Sequence, residues 1–395
     1  EISVSLDGPN SQHQVLATAF DGREQIGVAS GDPGETLTMP IPNPTLWSPE
    51  HPHLYDLQVE VFHQGVRVDQ VNSYFGMRKF SLGVDDLGRT RLCLNNKPLF
   101  QYGPLDQGYW PDGLHTPPSE EAMRSDVEFC KQMGFNMLRK HIKVEPARYY
   151  YDCDRLGIIV WQDMVNGGKP VGSLLSFLAI MFNCLRRSDT RFYWRAGRGR
   201  RASRRDYYRE FKEMVDHLHN FACIGMWVPF NEAWGQFEAA KVAAWLKEYD
   251  PTRPVDHASG WFDQGGGDVR SIHTYFKALK PEASHQPPAG SQDLGRGVIL
   301  SEFGGYTLQL EGHIWNPETV FGYSKYDSPQ ALTEAYIDLI ETQLKPWIKM
   351  GLSGAVYTQT SDVEIEVNGY LTYDRAVVKM DTERLAELHK SLYES

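Results

Sequence analysis

Two glutamates stand where an apolar run stops. Residues 224–237, IGMWVPFNEAWGQF, open as a short strand of β-branched and aromatic character and end on Asn231 and Glu232. Residues 297–305, GVILSEFGG, form a second apolar strand ending in Glu302, and the two glycines after it let the backbone turn sharply. A carboxylate at the C-terminal end of a parallel strand is where α/β barrels place their chemistry. One such glutamate is equally a helix cap or a surface residue; a second in the same setting weakens that account. Two carboxylates across one mouth suit glycoside hydrolysis, in which one protonates the leaving oxygen and the other attacks the anomeric carbon.

Other polar residues end apolar strands: Asp106, Arg139, His141, Asp163, Asn231, His257, His273, Tyr275 and Gln359. Taken singly, each is more often a structural hydrogen-bond partner. As a set they are costly without a solvated pocket to face. The two carboxyls need different pKa values, and Arg139 would hold one ionised while Trp227 and Trp234 raise the other. His141, His257 and His273 are candidate metal ligands, but no HxH or HExxH spacing occurs. No GxGxxG with an acidic partner, no GxxxxGK[ST] and no GxSxG elbow is present, so dinucleotide, phosphate and serine-hydrolase chemistry are unsupported. The expectation is an enzyme without cofactor or metal.

The elements that must carry these residues fall into two parts. Residues 1–88 alternate apolar and polar positions in ISVSL, QVLATAF, ETLTMPI, LYDLQVEVF and VRVDQVNSYF, which predicts a small sandwich with a hairpin closing on His63-Gln64-Gly65. From 89 to 395 strands alternate with amphipathic helices. Eight strands are predicted, at 98–105, 136–141, 158–163, 224–231, 254–259, 271–276, 297–302 and 354–360. Helices are predicted at 119–133, 145–156, 204–219, 236–248, 328–350 and 381–393, with Ser328 and Pro329 as start signals. That count fits a (β/α)₈ barrel better than a doubly wound sheet, although 280–296 is Pro- and Gly-rich and holds at most a degenerate helix.

Composition bounds the partners. In 395 residues the formal net charge is −11, which argues against a general nucleic-acid binder. Five cysteines, Cys93, Cys130, Cys153, Cys184 and Cys223, have no zinc or disulfide-framework spacing and are expected as mostly buried thiols. The longest apolar run, SLLSFLAIMFNCL at 173–185, is shorter than the ~20 residues a membrane span needs. The chain begins with Glu1, which suggests a processed or truncated product; a periplasmic or secreted location is favoured over a cytoplasmic one.

LWSPEHPHLYDLQVEVF, FGMRKF, LNNKPLFQYG, WVPFNEAWG and SEFGG together resemble glycoside hydrolase family 2, the β-galactosidases, β-glucuronidases and β-mannosidases. The resemblance runs from about residue 45 to the end and implies an immunoglobulin-like sandwich before a TIM barrel, without the N-terminal sugar-binding domain. It implies Glu232 as acid/base and Glu302 as nucleophile, Asn231 on the sugar 2-hydroxyl and Tyr275 on the nucleophile; Asp106, Arg139, His141, Asp163 and His273, from their places at strand ends, are expected as further substrate-binding positions. Arg139-Lys140-His141-Ile142 is one residue tighter than the family's Arg-x-x-His-Tyr-Pro, and GIIVWQDM is similar to the mannosidase branch. The metal ligands of the large β-galactosidases have no match after Asp163. Where family glucuronidases carry Asn-x-Lys-Gly, this chain has Glu366-Val367-Asn368-Gly369, so a neutral terminal sugar, galactose first, is expected. A uronidase, a β-mannosidase and an inactive carbohydrate-binding protein are the alternatives. An oligo- or polysaccharide is the implied partner, and a homo-oligomer is compatible.

Residues 167–209 resemble the family least and hold ten arginines between Arg186 and Arg209. The segment follows the third strand and should rim the barrel mouth. A basic helix start packed on a neighbour explains it; so does attraction of a polysaccharide that is sulfated or uronate-bearing beyond its terminal residue.

Overall fold

The computed structural model describes residues 1–7, 12–170, 172, 188–275 and 295–393. The apolar run 173–185, Cys184, Arg186, Arg187 and nearly all of 280–296 lie outside them. Two compact units emerge, Glu1–Arg78 with Asn220–Ala222, and Lys79–His219 with Cys223–Ser395. The predicted boundary after residue 88 fell within what is here the larger unit.

The first unit is all-β. Strands β1 (Ile2–Ser3) and β4 (Thr36–Leu37) pair, and β2 (His13–Asp21), β3 (Glu24–Gly31), β5 (Tyr55–His63) and β6 (Val66–Phe75) form an antiparallel sheet in the order β3-β2-β5-β6. The β5–β6 hairpin turns on Gln64 and Gly65, both with positive φ, as a tight turn matching the strand twist requires. Val15, Ala17 and Ala19 alternate onto the buried face with Trp47 and Tyr55. Strand β3 was missed in the sequence because EQIGVASG interleaves two glycines with its few apolar residues.

The larger unit opens with a small antiparallel sheet, β7 (Phe80–Val84), β8 (Thr90–Leu94) and β9 (Lys97–Pro98). Seven parallel strands follow: β10 (Gln101–Asp106), β11 (Met137–Lys140), β12 (Ile159–Asp163), β13 (Ile224–Val228), β14 (Val269–Thr274), β15 (Gly297–Gly304) and, after the short β16 (Thr307–Leu308) and β17 (Lys325–Tyr326), β18 (Leu352–Thr358). Their order is β13-β12-β11-β10-β18-β15-β14, so the first barrel strand pairs with the last. The predicted fifth strand, 254–259, forms no extended ladder but meets β13 and the residues after it through the bridges Trp227–Val255 and Asn231–Ser259. Its side toward β14 is closed largely by side chains: Val255 N donates to Asp268 Oδ2 at 2.8 Å, and Ser259 Oγ lies 3.0 Å from His273 Nε2. Strands buried on both faces leave little room for bulk between them; a Cβ on Gly103 would stand 1.5 Å from the Met137 carbonyl oxygen of β11.

Helices Glu120–Gln132, Ala147–Leu156, Arg201–Leu218, Ala239–Tyr249, Pro329–Leu339 and Thr382–Lys390 alternate with the strands. Ser119, Ser328 and Asp381 cap three of them through their side chains. Among the described residues, no helix is long and apolar enough to cross a membrane, and Cys93, Cys130, Cys153 and Cys223 are buried free thiols.

Candidate active site

Local backbone irregularity aims both glutamates. Beyond β13, Asn231 bridges Ser259, Glu232 N donates to Ser259 O at 3.0 Å, and Glu232 and Ala233 take φ of +47° and +60°. Left-handed non-glycine residues are uncommon and strained, and they cluster at functional sites. Glu302 sits in a bulge: β14 pairs Ile272 with Leu300 but His273 with Glu302, so Ser301 is an extra residue in β15. Bulges beside active sites re-aim a side chain.

The carboxyls then meet. An oxygen of Glu232, one of Glu302 and a ring nitrogen of His273 lie within 4.8 Å of one another. His273 Nδ1 is 3.1 Å from Glu232 Oε1 and 3.8 Å from Glu302 Oε2. Arg139, fully buried, donates through Nη1 to Glu302 Oε1 at 3.0 Å and through Nη2 to Asn231 Oδ1 at 2.8 Å, while Nε and Nη2 clamp Asp163 at 2.9 Å each. Asn231 Nδ2 donates to His141 Nε2 at 3.0 Å. The Tyr275 hydroxyl donates to Glu302 Oε2. Tyr275 is in turn stacked on Tyr323, with ring centroids 4.1 Å apart.

The two environments differ. Glu232 is 23% exposed and Glu302 5%, so the first faces the entrance and the second the floor. Burial pushes the Glu232 carboxyl up to about 7 against the pull of Arg139. Burial also raises Glu302, opposed by His273, Arg139 and the Tyr275 hydrogen bond. Burial lowers His273 to about 4, leaving the ring neutral near pH 7. Two carboxyls so close resist ionising together, and a pair in which one keeps its proton can act as acid and nucleophile, or acid and base. The Trp227 indole nitrogen donates to Asp250 at 2.8 Å, and Trp234 stands 43% exposed.

Of the sequence candidates, Arg139, His141, Asp163, Asn231, His273 and Tyr275 join this network. Asp106 does not bond to either glutamate; it accepts from Lys140 Nζ at 3.0 Å and Tyr149 at 2.6 Å, in a buried ion cluster with Glu145 and Lys143. His257 pairs with Asp263 at 2.9 Å, away from His141 and His273. Glu232, His273 and Glu302 are the one group among the described residues with three potential metal-ligand atoms this close. Two contributors were missed, Ser259 and Tyr323, and Glu366, read in the sequence only for the lysine lacking beside it, is a third. Glu366 accepts from Gln359 Nε2 at 3.0 Å, and burial, then the charge of Glu302, push it up to about 7.

The profile for glycosyl hydrolases family 2 matches residues 1–78, and that for the family's TIM barrel domain matches residues 89–389. A β-galactosidase of Leuconostoc mesenteroides is 28% identical over 297 residues, and β-galactosidase 2 of Enterobacter cloacae 29% over 325. These alignments take 68% and 77% of this chain but 25% and 29% of the relatives, so the chain spans under a third of their length. In three dimensions the chain is similar to a β-glucuronidase of Dictyoglomus thermophilum, with TM-score 0.70 and 15% identity over 98% of this chain and 64% of that one. It is also similar to a β-galacturonidase of Eisenbergiella tayi, with TM-score 0.65 and 17% identity over 97% and 67%. With the barrel profile alone covering residues 89–389, the chain belongs to glycosyl hydrolases family 2.

Proposed function

We propose that this chain hydrolyses β-glycosides with retention of configuration, removing a neutral terminal sugar, galactose first, from an oligo- or polysaccharide. The observation that carries the reading is the approach of Glu232 and Glu302 within 4.8 Å, on the short side of the range, in unequal surroundings. Retaining enzymes hold their carboxyls ~5–5.5 Å apart, whereas inverting enzymes need ~6.5–9.5 Å to admit a water. In the first step Glu302 attacks the anomeric carbon, the bond to the leaving oxygen breaks, and Glu232 gives its proton to that oxygen. In the second step Glu232, now ionised, takes a proton from water; the water oxygen bonds the anomeric carbon and Glu302 is released.

The surrounding groups fit this assignment. Arg139 and Tyr275 stabilise the ionised nucleophile, and Asn231, its amide oriented by Arg139 and His141, faces a sugar hydroxyl. His141 Nε2 accepts from Asn231, which leaves the ring proton on Nδ1, a buried atom with no hydrogen-bond partner among the described residues. For the sugar, the two sequence relatives given above are named β-galactosidases, and Glu366 with Asn368 stands where uronidases of the family carry asparagine and lysine.

The test is hydrolysis of a panel of aryl β-glycosides, with the first product followed by proton NMR. A β-configured first product from the galactoside is expected. An α-configured product overturns retention, and faster turnover of the glucuronide overturns the neutral sugar.

A further inference from the structure

Beside Glu232 the structure holds a cavity of about 340 Å³. Its wall includes Ala233, the residue after Glu232, together with Lys169, Arg191, Phe192, Trp194 and Arg195 from the loop after β12. We propose that this cavity binds the sugar on the leaving-group side of the scissile bond and that it takes an anionic one, carrying sulfate or carboxylate. The proposal rests on the retaining reading above: Glu232 delivers its proton to the leaving oxygen, so the departing sugar lies on the Glu232 side of the mouth.

The loop is tied to the Glu232 turn. Gly235 N donates to Lys169 O at 3.2 Å, and Asp189 accepts from Ala239 N at 2.8 Å and Gln236 Nε2 at 3.1 Å. Asp189, the acidic residue of the wall, is thereby tied to the helix start; against the three cations Lys169, Arg191 and Arg195 its single negative charge leaves the wall with a net charge of +2. Lys169, Arg191 and Arg195 have no carboxylate partner among the described residues. Phe192 and Trp194 are 61% and 63% exposed, and the Arg195 guanidinium lies 4.9 Å from one ring and 5.3 Å from the other. Aromatic faces suit the C–H face of a sugar, and a guanidinium held against them is oriented for bidentate pairing with sulfate or carboxylate. In a chain of net charge −11, such a local excess of cations runs against the overall field.

The neighbouring arginines divide by their bonds. Arg198 is buried and donates to Gly167 O at 2.9 Å and Gly235 O at 3.3 Å, so it holds the loop rather than a ligand. Arg204 donates to Arg198 O at 2.6 Å.

The test uses three β-galactosyl disaccharides whose reducing sugar is neutral, sulfated or a uronic acid. On the unmodified protein, kcat/KM for an anionic member relative to the neutral one is expected to fall as salt rises, since screening shortens to ~10 Å at 0.1 M. The sulfated and uronate members show which anion is favoured. In Arg191→Ala/Arg195→Ala the anionic preference is expected to drop roughly tenfold, the loss of about one charge-assisted contact. Calorimetry of the same disaccharides with Glu302→Gln protein reads the site without turnover. If no galactoside is cleaved while anionic disaccharides still bind and lose binding in the Arg191/Arg195 variant, the activity fails and the site stands. Equal handling of neutral and anionic members at every salt concentration overturns the site.

Discussion

His273 Nδ1 stands 3.1 Å from Glu232 Oε1, a neutral imidazole against the carboxyl that has to keep its proton. Its other nitrogen, 3.0 Å from Ser259 Oγ, is occupied, so the ring has one hydrogen bond for the carboxyl and no charge to ionise it. In the proposed mechanism the active form has Glu232 protonated and Glu302 ionised. kcat/KM should therefore fall above about pH 7, as Glu232 loses its proton, and fall again on the acid side as Glu302 gains one. A basic limb unmoved in Glu232→Gln would assign that titration to another group.

The same shift has a consequence for folding. The native pKa of Glu232, about 7, lies above its ordinary 4.5, so the native state holds the proton longer than the unfolded chain. The carboxyl therefore subtracts stability as pH climbs from 4.5 through about 7 and has no such effect below that window. Thermal melts of Glu232→Gln and the unmodified protein should coincide near pH 4 and separate in favour of the variant by pH 8.

Replacing Glu232 with Ala should slow substrates with poor leaving groups by roughly 10²–10⁴-fold, the usual contribution of a positioned proton donor, and activated aryl substrates far less. Comparing an alkyl with a dinitrophenyl glycoside measures it. Equal losses on both would take the proton donation away from Glu232.

Tyr275 and Tyr323 test how Glu302, the proposed nucleophile, is held. Tyr275→Phe removes the hydrogen bond that helps keep Glu302 ionised, so the acid limb of kcat/KM should move to higher pH, with kcat down roughly 10–100-fold for a lost bond worth about 1.5–3 kcal/mol. Tyr323→Leu removes the platform that is 4.1 Å from Tyr275 and should move the limb in the same direction by less. A purely structural role for Tyr323 would lower stability and leave the limb in place.

The strand ends were legible because apolar runs that stop on polar residues are local patterns, and so Glu232, Glu302 and Arg139 could be read directly. What positions them was not. The bulge at Ser301 depends on how β15 registers against β14, and nothing in VILSEF marks it. The fifth strand was anticipated as regular, but Pro254 at its start lacks a donor and its side toward β14 is closed largely by Asp268, Ser259 and Ser271 side chains. Tyr323 lies in a stretch with no apolar run before it, so only the folded chain brings it onto Tyr275. Asp106 looked like Asp163 in sequence. Lys140, one residue after Arg139, draws it into a separate ion cluster.

The barrel's tolerance can be tested at Gly103. A methyl there would fall 1.5 Å from Met137 O, a backbone atom that cannot yield without shifting β10 from β11. Gly103→Ala should cost more than the ~1–3 kcal/mol typical of overpacking, seen as a lowered denaturant midpoint or loss of soluble protein. An unchanged midpoint would mean the two strands are not so closely apposed.

Glu366 carries the last prediction. Its carboxylate accepts from Gln359 at 3.0 Å, and Gln359 follows Thr358, whose hydroxyl is 3.5 Å from the Tyr275 oxygen that binds Glu302. Glu302 and Glu232 both raise its pKa, so it already shares their field. A uronate carboxylate brought here would add a further negative charge where the family's uronidases offer asparagine and lysine. Asn368 cannot replace that lysine, because its side-chain oxygen accepts from Gln359 at 2.8 Å and the residue is 1% exposed. Removing the repulsion alone, in Glu366→Gln, should raise the glucuronide-to-galactoside ratio of kcat/KM modestly. Supplying the cation as well, in Glu366→Asn/Asn368→Lys, should raise it further, by roughly 10–100-fold over the unmodified protein if the new contact is worth about 1.5–3 kcal/mol. A ratio unchanged in both variants, with the melting temperature preserved, would place the terminal sugar's C6 substituent elsewhere in the mouth.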